Sequence, residues 1–253
     1  MSYFCSTSSI FTDAYFIFWE CILRELHERL RIFDFDGTLV DSFLPVAKLD
    51  TRILSSEIGP IELERMVTEL GGSMLEDKIL AACQINQVTL TQNNIEKIIA
   101  RRMQEHEKIY LNGTVQPFEG MHDLLSYIKS PICVASQNAH DRLGAAISAT
   151  GLMDYFDNQW YFGADQVDEP KPAPDLFLLA AKTMGFSPDQ CDVIGDSMDD
   201  IRGAVAANMN AYGFLSADHP KYAKMRELLY KVGALKVFSS PFELLSFFES
   251  SAE

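Results

Sequence analysis

The sequence predicts an α/β fold: a parallel β-sheet with crossover helices, interrupted after its first strand by a helical insert. Three observations carry the prediction. From residue 31 onward, short β-rich runs alternate with segments of helical period, as βαβ units require. Each core run passes into polar residues at its C-terminal end. Between residue 43 and about 115 the strand signals vanish, and apolar residues recur at i, i+3, i+4 spacing.

The elements follow in order. Residues 1–30 begin Ser/Thr/Phe-rich and continue as "DAYFIFWECILRELHERL", which predicts an amphipathic helix with Asp13 near its N-terminus. Two readings of this segment stand open, an extension packed on the main domain or a translation-start artefact, because the first core strand begins only at about Arg31. That strand is "RIFDF" (31–35). The insert carries "LERMVTEL", "MLEDKILAACQ" and "NNIEKIIARRMQEHEKIYL", with a break at Gly71-Gly72, and "VQPFEG" (115–120) returns the chain to the core. The remaining strands are predicted at "ICVAS" (132–136), "WYFGA" (160–164), "CDVIG" (191–195), "NAYGFL" (210–215) and "KVFSS" (236–240). The division expected is an extension over 1–30, a core from 31–42 and 116–253, and a helical cap over 43–115. Met66 and Met74 read as core of that cap.

Of the 253 residues 47% are apolar and 23% charged, a composition that folds and argues against extensive disorder. A formal charge of -15 argues against nucleic acid as a partner, because phosphate backbones are bound mainly through Lys and Arg. A small phosphorylated ligand held by one lysine and a cation stays compatible with that balance. Cys5, Cys21, Cys83, Cys133 and Cys191 are scattered singly, without the density of a disulfide scaffold, which fits a reducing cytoplasm. No apolar run reaches the roughly 18 residues that span a bilayer. The nearest, "AYFIFWECIL" (14–23), is broken by Glu20 and has no Lys or Arg before it, so neither membrane anchor nor signal peptide is expected.

In an open parallel sheet, ligands bind outside the carboxyl ends of the strands. The polar residues expected there are Asp34 and Asp36 in "DFDGTLVDS", Ser136 in "CVASQN", Lys171 in "EPKPAPDLF", and Asp196, Asp199 and Asp200 in "VIGDSMDD". Like charges this close are tolerable only around a cation, and oxygen ligands select Mg²⁺. Asp34 is the better-placed nucleophile, and carboxylate attack on phosphorus splits hydrolysis into formation and breakdown of an aspartyl-phosphate.

These four motifs, in this order, resemble those of the haloacid dehalogenase (HAD) superfamily of phosphohydrolases, subfamily I. The group in view holds β-phosphoglucomutase-like and phosphoglycolate-phosphatase-like enzymes, and the resemblance covers residues 31 to about 248. It implies a Rossmann-like parallel-sheet core with an inserted helical cap. It also implies Asp36 as general acid/base; dehalogenases and phosphonatases of the superfamily lack a carboxylate there. The implied Mg²⁺ ligands are the Asp34 side chain, the Asp36 backbone carbonyl and Asp196, with Asp200 close by or behind; Asp199 reads more readily as a solvated helix residue.

Ser136 is expected to hydrogen-bond a phosphoryl oxygen and Lys171 to neutralise the charge on the oxygens in transfer; the bland alternatives are a helix N-cap and a solvated loop. Gly37 and Thr38 are expected to turn backbone N–H groups toward the phosphate, with Gln137 also at the substrate. In the cap, Ser73 and Lys78 are the substrate-binding candidates, a solvated helix position being the alternative for Lys78. His140 and Arg142 follow Ser136 and read equally as helix-surface or capping residues; His106 and His122 have no metal-site spacing.

The activity implied is hydrolysis of a small phosphorylated metabolite: a sugar phosphate, a sugar-acid phosphate or phosphoglycolate. A β-phosphoglucomutase-like phosphomutase is the alternative, disfavoured because Gly195-Asp196 replaces the mutases' Glu-Asp and no Arg lies near Ser73 to grip a second phosphate. A non-catalytic phospholigand sensor is the third reading, against which all the motif residues are intact. A monomer or weak dimer is expected.

Overall fold

The computed structural model describes residues 29–71, 73–156 and 160–250. Of the helix predicted over 13–30, residues 13–28 lie outside this range, and Leu30 is already the first residue of a strand. Among the described residues six strands form one parallel sheet: β1 (Leu30–Phe33), β2 (Ile132–Ser136), β3 (Tyr161–Gly163), β4 (Cys191–Gly195), β5 (Asn210–Phe214) and β6 (Lys236–Phe238). Their order is β3-β2-β1-β4-β5-β6, so the chain steps outward from β1 through β3 and then returns to pair β4 with β1. The carboxyl ends of β1 and β4 therefore flank the topological switch point, where such sheets open a crevice. The α/β class, the parallel sheet and all six predicted strands are found.

Strand alternation builds the two faces. Phe33, Val134 and Ile194 point to one apolar cluster, covered by α5 (Met121–Tyr127), α6 (His140–Ala149) and α10 (Pro241–Ser250) through Leu124, Ile147 and Phe248. Ile32, Cys133 and Val193 point to the other, covered by α7 (Asp175–Met184), α8 (Met198–Ala206) and α9 (Tyr222–Lys231) through Phe177, Ile201 and Leu229. Both faces of β1, β2 and β4 are thus buried, which is why these strands read as apolar runs.

Between β1 and α5 the regular elements among the described residues are helices, beside isolated bridges that join Val40 to Asp36 and Pro117. The helices are α1 (Phe43–Glu57), α2 (Leu63–Arg65, continued by a π-helical turn over Met66–Leu70), α3 (Leu75–Asn86) and α4 (Gln92–Leu111). Ile53, Leu54, Met66, Ile79 and Ile98 gather them around a separate apolar cluster. Met74 does not join it, contrary to expectation: it stands before the first turn of α3 in extended backbone and is 64% exposed. Among the described residues no helix is long and apolar enough to cross a membrane.

Candidate active site

The loop after β1 is held at both ends. The Asp34 N–H donates to the Ile194 carbonyl at 2.8 Å, which ties it to β4. A tight turn follows in which Leu39 N–H bonds the Phe35 carbonyl at 2.9 Å, while Phe35, Leu39 and Val40 are fully buried beneath it. Buried apolar anchors on either side thus aim Asp34 and Asp36 at the sheet edge. Gly37 makes the turn possible with φ +81°, and its N–H donates to the Val40 carbonyl at 2.9 Å. The expectation that this N–H faces a ligand is therefore corrected, because the turn consumes it. A Cβ at Gly37 would lie 2.3 Å from Asp196 Oδ2. Gly37→Ala is expected to cost about 1–3 kcal/mol in urea unfolding through left-handed strain. It should also slow turnover by roughly an order of magnitude or more by displacing Asp196; wild-type turnover would show that the turn yields without moving that carboxylate.

Lys171 sits at the centre of the site rather than in a solvated loop. Its buried Nζ donates to Asp34 Oδ1 at 2.6 Å, to Asp200 Oδ1 at 2.6 Å and to the Ala135 carbonyl at 3.1 Å. Burial alone would depress an ammonium, but Asp200 and Asp34 outweigh it and hold Lys171 charged, above its ordinary range. Asp200 has a second duty: its Oδ2 accepts from Ser197 N–H at 3.1 Å and Ser197 Oγ at 2.5 Å, a capping box that starts α8. Asp199 points away, 43% exposed and 3.8 Å from Arg202.

Asp34, Asp196 and Asp200 each offer a carboxylate oxygen within 4.8 Å of the others. Against the single charge of Lys171, the fully ionised cluster is doubly negative. Burial first, and the Asp200 and Asp36 charges after it, push Asp34 up to about 7 despite Lys171. Burial, then Asp34 and Asp200, hold Asp196 well above the carboxylate range. A hard divalent cation fits this set, with oxygen donors only and two charges to balance.

Asp36 faces a different environment. Its Oδ1 accepts from the Tyr110 phenol on the last turn of α4, and its Oδ2 from Asn138 Nδ2 at 2.8 Å. Burial, followed by the Asp36 charge and hydrogen bond, drives the Tyr110 pKa far upward, so the phenol keeps its proton and donates. His106, one turn earlier, meets the Tyr110 ring edge-on with centroids 5.2 Å apart. Burial and the nearby Arg102 depress it to about 4, which keeps it neutral.

The other expected residues divide. Ser136 is buried at the end of β2, and its Oγ accepts from Asn138 N–H at 3.2 Å; α6 starts only at His140, so Ser136 is not its N-cap. Thr38 Oγ1 is buried with no partner among the described residues. Gln137 donates from Nε2 to the Lys171 carbonyl at 2.8 Å, and so steadies the lysine loop with its amide.

Lys78 is a correction: it is neither solvated nor a free cation, because the helical cluster buries it with its Nζ 2.7 Å from Asp50 Oδ2. Asp50 is itself fully buried and takes Arg102 Nε on Oδ1 at 3.0 Å, an interior partner that makes burial of the lysine tolerable. Ser73 is half-buried in the turn before α3, its N–H on the Leu70 carbonyl at 3.1 Å; Gly72 beside it lies outside the described residues. His140 stacks on Tyr161 at 4.7 Å and Arg142 is exposed, lining a crevice with His106, Tyr110 and Asn138. His122 bonds Tyr155 at 3.2 Å, away from this cluster.

Two residues at the centre of this geometry, Tyr110 and Asn138, are not singled out in the sequence, although Asn138 closes the "CVASQN" stretch. Asn138 follows Ser136 by two positions, a proximity that marks it. Tyr110 shows only helical period in the sequence, and nothing local connects it to a carboxylate 74 positions earlier.

The comparisons agree with this architecture. Residues 31–214 match the family model of the haloacid dehalogenase-like hydrolases. The chain belongs to that family. It is 32% identical to the fructose-1-phosphate phosphatase of Escherichia coli K12, over 71% of this chain and 93% of that one. It is 25% identical to the 6-phosphogluconate phosphatase of the same organism, over 75% and 83%. Among solved structures, a conserved haloacid dehalogenase-like protein of Agrobacterium tumefaciens superposes with a TM-score of 0.74 at 30% identity, covering 89% of this chain and all of that one.

Proposed function

We propose that this hydrolase is a Mg²⁺-dependent phosphomonoesterase acting on a small phosphorylated metabolite, a sugar phosphate or sugar-acid phosphate, through an aspartyl-phosphate on Asp34. One observation carries the reading: Asp34 Oδ1 bonded to buried Lys171 at the switch point, with Asp196 and Asp200 around them. The family and the two phosphatase relatives support the class; their substrates are sugar and sugar-acid phosphates.

Asp34 attacks phosphorus, its Oδ–P bond forming as the ester P–O bond breaks. Protonated Asp36 gives its proton to the ester oxygen, so that the alcohol leaves neutral and Asp36 becomes a carboxylate. In the second half Asp36 takes a proton from water as the water oxygen attacks phosphorus, the Asp34–phosphorus bond breaks, and phosphate leaves. Lys171 balances the negative charge on the transferring oxygens, and Ser136 and Thr38 supply hydroxyl donors. Asp34, Asp196 and the Asp36 carbonyl would hold Mg²⁺, with Asp200 positioned behind them by Ser197 and Lys171. When bound, the ion supplies electrostatic stabilisation of the phosphoryl oxygens and keeps Asp34 ionised at neutral pH. The helices α1–α4 act as the cap that excludes water and selects the leaving group.

The test is phosphate release from fructose 1-phosphate, 6-phosphogluconate, phosphoglycolate and β-glucose 1-phosphate, with Mg²⁺ and with chelator. Release that needs Mg²⁺ is expected. Because the ion must displace protons from Asp34 and Asp196, its thermal stabilisation should be larger at pH 8 than at pH 5. Metal-independent release, or conversion of β-glucose 1-phosphate to the 6-phosphate without release, would overturn the reading.

A further inference from the structure

Asp36 is gripped from two sides by elements that meet only in the tertiary fold. Tyr110 reaches it from the last turn of α4, in the helical layer, and Asn138 from the loop after β2, in the sheet layer. The two donors take different carboxylate oxygens, so together they fix both the position and the plane of the group. The Tyr110 ring is itself braced, with Phe35 at 6.0 Å and His106 at 5.2 Å, and little of its surface reaches solvent. The Asn138 backbone is pinned by its N–H bond to Ser136 Oγ. A carboxyl group that must deliver a proton along one direction gains from such a two-point hold, since a misaligned donor forfeits much of its catalytic effect.

We infer that Tyr110 and Asn138 are positioning residues that orient Asp36 for proton transfer to the leaving group, and that Tyr110 makes this orientation depend on the seating of α4. The inference rests on the aspartyl-phosphate reading above and deepens it. The hold contributes only where the leaving oxygen needs a proton. A sugar alkoxide cannot depart without one; p-nitrophenolate departs readily as the anion. The clamp therefore favours esters of poor leaving groups, which is the chemistry of metabolite phosphates.

The experiment compares kcat/KM for the best sugar phosphate and for p-nitrophenyl phosphate in the full chain, in Tyr110→Phe and in Asn138→Ala. This parameter reports events through departure of the leaving group, before water enters. Phenylalanine keeps the ring against Phe35 and His106, and Asn138→Ala provides an independent route should the first variant fold poorly. Each is expected to lose roughly 10- to 100-fold on the sugar phosphate, a part of the 10²–10⁴-fold that general acid–base catalysis supplies, and less than about threefold on p-nitrophenyl phosphate. Equal loss on both esters would show a general structural role and overturn the inference, as would no loss on either. A parent protein that hydrolyses neither ester, and is unchanged by Asp34→Asn, would remove the phosphatase reading itself and the clamp with it. That pattern is distinct from an active parent with unselective variants.

Discussion

Asp34→Asn is expected to fold and to release phosphate at least about three orders of magnitude more slowly than the parent on every substrate, since an amide oxygen does not form the phosphoenzyme. The fold survives because Lys171 keeps two of its three partners, Asp200 at 2.6 Å and the Ala135 carbonyl at 3.1 Å. The variant also reports on the cluster's electrostatics. Asp34 is raised from 3.8 to about 7, so in chelator the folded parent binds a proton there that the unfolded chain has released. That contribution to stability is present below about pH 4 and is lost as pH rises through 7. Removing the group removes that share of the slope. Urea unfolding in chelator at pH 5 and pH 8 should show the variant gaining on the parent at the higher pH. A gap that stays constant would mean that Lys171 already compensates Asp34 in full, and residual turnover within tenfold of the parent would exclude Asp34 as nucleophile.

Lys171→Met is expected to be the most damaging single change to stability. Methionine keeps the stem volume near Phe177, whose ring centroid lies 5.8 Å from Nζ, but leaves Asp34 and Asp200 without their shared cation. Breaking a buried pair from one side costs about 3–5 kcal/mol, because the remaining charge has no partner. Part of that loss should return when Mg²⁺ replaces chelator, since the ion would balance the same carboxylates. Turnover should fall by roughly 10²–10³-fold or more even where Mg²⁺ restores the fold, for the charge on the transferring oxygens then lacks its buried donor. A destabilisation under about 1 kcal/mol in chelator would mean that the carboxylates of the apo protein are already protonated, and would weaken the case for a cation-balanced cluster.

The site was legible where its residues sit at strand ends. Asp34 and Asp196 directly follow runs whose apolar character announces a buried strand, Ser136 closes one, Lys171 lies in the loop beyond the third, and parallel topology brings all such ends to one edge. Lys171 was legible as a participant but not as the bridge between two carboxylates, because its partners lie 137 and 29 positions away. Gly37 shows the opposite limit. Its place in the motif suggested an N–H offered to a ligand, yet the turn that needs its positive φ also uses that N–H. Lys78 reads as a substrate-binding candidate or a solvated helix residue, because helical period alone does not reveal that Asp50, 28 positions earlier, is buried and needs a cation.

What local sequence decides here is short-range: which runs are buried strands, where the chain must turn, and which carboxylates lie close enough to repel. Those follow from hydrophobic period, glycine conformation and Coulomb's law over a few residues. Tertiary packing, including that of α4 on α1 and α6, decides the rest. It carries Tyr110 to Asp36 across 74 positions and sets Asn138 opposite it across 102. It also determines that Arg102 and Lys78 neutralise Asp50 inside the helical layer instead of meeting solvent. A hydrogen bond depends on ångström-scale placement of two atoms, and between residues so far apart that placement exists only once the layers have docked.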